Sequence, residues 1–178
     1  MKGIVFTEFI EMIEQEFSFK MADHIIEESD LKSKGVYSSI GTYDHSEIFI
    51  LVKKLSEATG ISTVQLFMVY GEHLFSRFKS HYPAFFENVT DPLTFLELVD
   101  SYIHKQVIKL YPDAQLPSFV SDRIADNHLK MTYTSERGMS DFAHGLILGC
   151  FKNFGKTSEI EKEKVNEFEV VFNIKQLD

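Results

Sequence analysis

The sequence predicts an α+β fold, with a predominantly helical N-terminal part packed against later strands and one further helix. Three observations carry that expectation. Apolar residues recur at three- and four-residue spacing from Val5 to Leu110. After Leu116-Pro117 the spacing drops to two. No repeat, low-complexity tract or linker divides the 178 residues, so residues 1–178 are expected to form one domain.

The elements follow in order. Val5, Phe6, Phe9, Ile10, Ile13 and Phe17 mark a first amphipathic helix, with Glu8, Glu11 and Glu14 expected on its solvent side. A short second helix is expected over 21–28 and a loop at Lys34-Gly35. Asp44 with Glu47 resembles a capping box before Ile48, Leu51, Val52 and Leu55, and Gly60 stops that helix. Ser62 and Gln65 repeat the start signal before Leu66, Phe67, Val69, Tyr70, Leu74, Phe75 and Phe78. Tyr82-Pro83 interrupts the pattern. Asp91 can cap, and Pro92 suits a first helical position because its missing N–H would have no helical partner there. That helix is expected to run to about Tyr111, since Pro112 cannot continue it. Leu93, Leu96, Val99, Ile103, Val107 and Leu110 form its apolar stripe, and His104 falls at the edge of the stripe.

Leu129, Met131, Tyr133 and Ser135 alternate with Lys130, Thr132 and Thr134, which predicts a strand. Gly138 and Ser140 introduce a helix with Phe142, Leu146, Ile147, Cys150, Phe151 and Phe154 inward, ended by Gly155. Residues 159–164 fit no single pattern. Phe168, Val170, Phe172 and Ile174 alternate as a last strand.

Composition narrows the function classes. A net charge of −9 without a basic run argues against general nucleic-acid binding, because phosphates would be repelled. One cysteine excludes an intramolecular disulfide scaffold. No apolar run is long enough to span a bilayer, and Glu8 falls where a signal peptide needs an apolar stretch, so a cytoplasmic protein with no membrane association is expected. The 17 Phe, 7 Tyr and no Trp fit either a Phe-rich core or a cavity for a flat ligand.

Few residues carry chemistry. There is no Gly-rich phosphate loop and no nucleophile elbow. The seven histidines make no close His/Cys zinc pairing, and Cys150 sits in an apolar series that predicts a buried thiol. His104 reads either as a hydrogen-bonded core residue or as a neutral imidazole placed for axial ligation of a haem iron. Tyr133, Ser135 and Arg137 share one side of a strand. Two hydroxyls and a guanidinium in a row can grip a carboxylate; equally, they can be a solvated strand face.

Taken together, His104 and Tyr133-x-Ser135-x-Arg137 resemble the haem-nitric oxide/oxygen-binding (H-NOX) domain family. The resemblance covers the whole chain and includes Met1-Lys2-Gly3, Asp91-Pro92, Pro117 and Phe142 through Gly145-Leu146. It implies a four-stranded antiparallel sheet packed with the helices around haem b (iron protoporphyrin IX). His104 would then be the proximal iron ligand. Tyr133, Ser135 and Arg137 would bind the propionates, and Pro117 would press on the porphyrin. The implied distal pocket comprises Val5, Phe9, Leu74, Phe142 and Leu146. Phe142 occupies the place where oxygen-binding members of the family carry a donor Tyr; Phe9 and Leu74 fall where they carry Trp and Asn. The resemblance therefore implies NO and CO as ligands and no stable O₂ complex. It also implies a switch driven by weakening of the Fe–His104 bond, with output in trans to a histidine kinase or diguanylate cyclase and no enzymatic activity. Two other readings remain at this point. A haem enzyme would need distal acid–base groups, for which His144 and His73 are the candidates near in sequence. A haem-free interaction module would use His104 for packing and the Tyr/Ser/Arg row as a surface patch.

Overall fold

The computed structural model describes residues 1–178. Four helices open the chain: α1 (Ile4–Glu16), α2 (Phe19–Glu27), α3 (Ser46–Thr59) and α4 (Thr63–His81). A 3₁₀ turn (Pro83–Phe86) leads to α5 (Pro92–Leu98), a π-helical segment (Val99–Ile103) and α6 (His104–Leu110). Strands β1 (Ser118–Ala125) and β2 (His128–Thr134) follow, then α7 (Ser140–Asn153), β3 (Ser158–Lys164) and β4 (Glu169–Gln176). The four strands form one antiparallel sheet in the order β1-β2-β4-β3. This is the α+β architecture expected.

Two apolar clusters hold it together. Phe6, Phe9, Ile13, Leu51, Leu55 and Tyr70 belong to the helical cluster. Leu129, Met131 and Tyr133 of β2 lie opposite Ile174, Phe172 and Val170 of β4, and pack with Leu93, Ile147 and Phe151 in the second. Phe142 and Leu146 of α7 border the first cluster, and Leu146 borders both. α4 and α7 cross closely at glycines. A Cβ on Gly145 would sit 2.7 Å from the Met68 carbonyl carbon, and one on Gly149 would sit 2.8 Å from the Phe75 Cβ. Side chains would hold these helices apart.

Several expectations need correction. The helix predicted over 91–111 is not continuous: a π-helical turn occupies Val99–Ile103 and α6 begins at His104. β1 escaped the residue pattern because its apolar Val120 and Ile124 are exposed, while Ser121 and Arg123 lie between them at less exposed positions. Residues 159–164 belong to an edge strand whose exposed positions are charged, a common guard against edge pairing. Phe168 precedes β4 and is exposed rather than inward. Leu110, placed on the apolar stripe, is 55% exposed. Glu8 is not on the solvent side; it is buried, and Arg77 Nε donates to its Oε2 at 2.7 Å. The Asp44/Glu47 pair does not form a reciprocal box. Glu47 reaches back to accept from the Ser33 backbone N–H (3.1 Å) and hydroxyl (2.5 Å) and from the Tyr37 hydroxyl (2.6 Å). Burial pushes its pKa up, but these bonds outweigh burial and hold the carboxyl below its ordinary pKa. By contrast, Ser62 caps α4 by accepting from Gln65 N–H, and Asp91 caps α5 by accepting from Thr94 N–H.

Candidate functional site: an apolar cavity with one imidazole and one unpaired guanidinium

Residues from α1, α4, the 82–86 turn, α5 through α6, the loop before β1, the sheet and α7 line one cavity. Of its 32 lining residues 26 are hydrophobic, and the other six are Lys2, His104, Gln115, Pro117, Ser135 and Arg137. Seven of the 17 phenylalanines line it, so the Phe excess serves both core and cavity. Such an apolar slot with a few polar groups suits a large, mostly apolar ligand with a charged end.

His104 opens α6, directly after the π-helical turn. Its Nδ1 lies 3.4 Å from Asp100 Oδ1, and its ring centroid lies 5.8 Å from that of Phe119. Burial pushes its pKa below the ordinary value, and the Asp100 carboxylate opposes that shift without reversing it. That net direction favours the neutral imidazole, the state a metal ligand requires. Asp100 itself was not singled out by sequence. Its signal was an acid one turn before His104, at i−4, where side chains on a helix meet.

The Tyr133, Ser135, Arg137 row does reach one cavity, though not by strand geometry alone. β2 ends at Thr134, and Ser135 and Arg137 lie in the following turn, where Ser135 Oγ accepts from the Arg137 backbone N–H (3.2 Å). Tyr133 is buried, and that burial raises its phenol pKa. The chain has three arginines. Arg77 pairs with Glu8 and Arg123 with Glu97, each at 2.7 Å, whereas Arg137 has no carboxylate partner and donates to Gln115 Oε1 at 3.0 Å. A guanidinium facing an apolar cavity without an anion is a ready carboxylate site.

Of the expected distal residues, Val5, Leu74, Phe142 and Leu146 line the cavity. Phe9 does not; it lies fully buried in the helical cluster, with its ring 4.9 Å from that of Tyr70. Tyr70 is a second residue that sequence reasoning missed, a buried phenol packed 5.0 Å from the Phe142 ring. Its hydroxyl donates to the Val5 carbonyl, and Tyr70 does not line the cavity. His73 and His144, the candidates for acid–base work, do not line it either. His73 belongs with Glu8 and Arg77, and His144 packs against Phe172. Cys150 is buried, and its thiol is directed to the Pro92 carbonyl.

Pro117 lines the cavity in the loop after α6. The same loop is clasped to the N-terminus. Asp113 accepts from the Thr42 hydroxyl (2.6 Å) and from Lys2 Nζ (3.1 Å), and Lys2 Nζ lies 5.4 Å from the Tyr111 ring centroid. The stretch carrying His104 and Pro117 is thus tied at one end to the first residues of the chain.

An α+β frame around an apolar cavity edged by one imidazole and one guanidinium defines a ligand-binding type of domain, and the chain belongs to the haem-NO-binding family, whose profile it matches over residues 2–162. That family is one of haem-binding gas sensors. The fold superposes on the unliganded Fe(II) H-NOX protein from K. algicida with a TM-score of 0.94 at 42% identity, covering 100% of this chain and 97% of that one. The IWP-051-bound H-NOX from Shewanella woodyi in its Fe(II)CO state is 38% identical over 99% of this chain and 95% of its own, with a TM-score of 0.85. The S. oneidensis H-NOX in its Fe(II)NO state, 22% identical with 100% of each chain covered and a TM-score of 0.92, shares the fold. No curated protein matches this chain. No helix is long and apolar enough to cross a membrane.

Proposed function

We propose that this protein is a cytoplasmic NO sensor that binds haem b through His104 over a single unit of residues 1–178. The observation that carries the reading is one cavity holding both the His104 imidazole and Arg137, the one arginine without a carboxylate partner. Those residues fit the group's two chemical ends. His104 offers a nitrogen to a metal, while Arg137, Ser135 and Tyr133 offer donors to carboxylates. Pro117 and the phenylalanine walls supply apolar contact to a flat ring. Bound haem, held by His104 and by Tyr133, Ser135 and Arg137, would supply a ferrous iron able to take a diatomic gas.

The residues of the chain then determine selectivity and output. Val5, Leu74, Phe142 and Leu146 present no side-chain donor, and the Tyr70 hydroxyl is committed to a carbonyl. Bound O₂ gains much from a donor, because its oxygens become partly anionic; NO gains little. The protein accordingly takes NO and CO and forms no stable O₂ complex. His104 opens α6, so a weaker hold on its imidazole would free α6 to shift relative to the sheet, and Pro117 would move with the loop that follows. The Asp113 clasp to Lys2 and Thr42 carries that shift to the N-terminal helices. Two states with different contacts to one ligand are what allosteric output needs. The output is regulation of a separate signalling protein, a histidine kinase or a diguanylate cyclase, and not a chemical reaction at the haem.

The test is His104→Gly, loaded with haem and with free imidazole as a substitute ligand. Partner activity that follows NO in the wild type and no longer follows it in the variant supports the switch. An unchanged NO response in the loaded variant refutes it.

A further inference from the structure

Asp100 makes two contacts through one oxygen. Its Oδ1 lies 3.4 Å from His104 Nδ1 and accepts from the Phe119 backbone N–H at 3.1 Å. Phe119 belongs to β1, and its ring lies 5.8 Å from the His104 ring and 5.4 Å from the Tyr133 ring. The strand that fixes the carboxylate therefore also walls the imidazole. Asp100 stands inside the π-helical turn, a helix irregularity that tends to occur at functional sites.

We propose that Asp100 is the positioning residue for His104, holding the imidazole proton on Nδ1 so that Nε2 carries the free electron pair into the cavity. The physical basis is the donor inventory. An ionised carboxylate only accepts, so the nitrogen beside it must carry the proton, and a neutral imidazole has one proton to place. Because Asp100 is anchored by Phe119, the ring orientation is set by the sheet and not by α6 alone. A carboxylate behind an imidazole also makes the opposite nitrogen a stronger donor to a metal. Asp100 thus sets how firmly His104 is held, and how readily it is released.

This inference rests on His104 as the iron-binding residue, so the test has one readout without haem and one with it. In the haem-free protein, nitrogen NMR of His104 should report the Nδ1–H form in the wild type and a mixture of both forms in Asp100→Ala. Asp100→Asn keeps an acceptor for the Phe119 N–H while removing the charge, and guards against a folding defect in Asp100→Ala. In the haem-loaded ferrous protein, the iron–histidine stretching band should move to lower frequency in Asp100→Asn and further in Asp100→Ala. Metal-ligand support of this kind is worth roughly 10–100-fold in affinity, so haem retention should fall within that range. An unchanged tautomer in Asp100→Ala, with an unmoved band in both variants, overturns the proposal. A wild-type band that persists in His104→Gly overturns instead the reading on which it rests.

Discussion

Gly145→Ala probes the seam that sets the distal wall. The added methyl would lie 2.7 Å from the Met68 carbonyl carbon and 2.8 Å from its Cα, where ordinary carbon contacts need about 3.5–4.0 Å. The obstruction is helix backbone, so α4 and α7 must part by about 1 Å. Overpacking of this kind costs about 1–3 kcal/mol, and the upper end applies because no flexible side chain can yield. Alanine returns about 1 kcal/mol of helix propensity. The net loss is about 2 kcal/mol, a fall in the thermal midpoint of about 4–8 °C for a chain of this size. Circular dichroism melts of the wild type and the variant would measure it. Gly60→Ala is the control: Gly60 has φ +75° and no atom within 4 Å of an added Cβ, so only backbone strain of about 1–2 kcal/mol is at stake. Because Phe142 and Leu146 ride on α7, Gly145→Ala should also alter the CO and NO spectra of loaded protein, and Gly60→Ala should not. A Gly145→Ala melt within about 1 °C of wild type, with unchanged spectra, would refute the reasoning.

Other perturbations test separate parts of the account. Arg77→Met strands the buried Glu8 without its closest counter-charge and should destabilise by about 2–4 kcal/mol, discounted for the partial exposure of Arg77; urea unfolding that shows under 1 kcal/mol contradicts it. His73, His104 and His144 all have pKa values lowered by burial, so the unfolded chain binds more protons below pH 6.5. Stability of the haem-free protein should therefore fall as pH drops from 7 towards 5.5, and a midpoint that holds or rises over that window is the opposing result. Burial raises the Cys150 thiol pKa well above its ordinary value, so a thiol reagent should label it only on unfolding; rapid labelling of native protein contradicts that placement. Phe142→Tyr should not by itself create a stable O₂ complex, since a donor must also be held in position; an oxy spectrum in that single variant would show the pocket to be preorganised for it.

Much of the fold was legible because packing follows period. The stripes on α1, α3 and α4, the capping by Ser62 and Asp91, and the alternation of Leu129, Met131 and Tyr133 all reflect burial on one side. The misses have equally physical causes. β1 hides its strand character because exposed apolar residues alternate with Ser121 and Arg123. Glu8 read as a solvent residue because its partner, Arg77, lies on another helix. The π-helical turn before His104 leaves no mark on an apolar stripe. At the site, His104, Pro117, Tyr133, Ser135 and Arg137 all line one cavity. Phe9 stands behind that cavity, and Asp100 and Tyr70 were missed because their roles depend on Phe119 and on the Val5 carbonyl, contacts between distant segments.

The most direct test of the sensor reading is the absorption spectrum of haem-supplied protein, reduced without air and exposed in turn to NO, CO and O₂. The account predicts a stoichiometric ferrous haem whose spectrum responds to NO and CO and does not form a stable oxy species. Protein that binds no stoichiometric haem, or one whose ferrous spectrum converts reversibly to an oxy form in air, would contradict it.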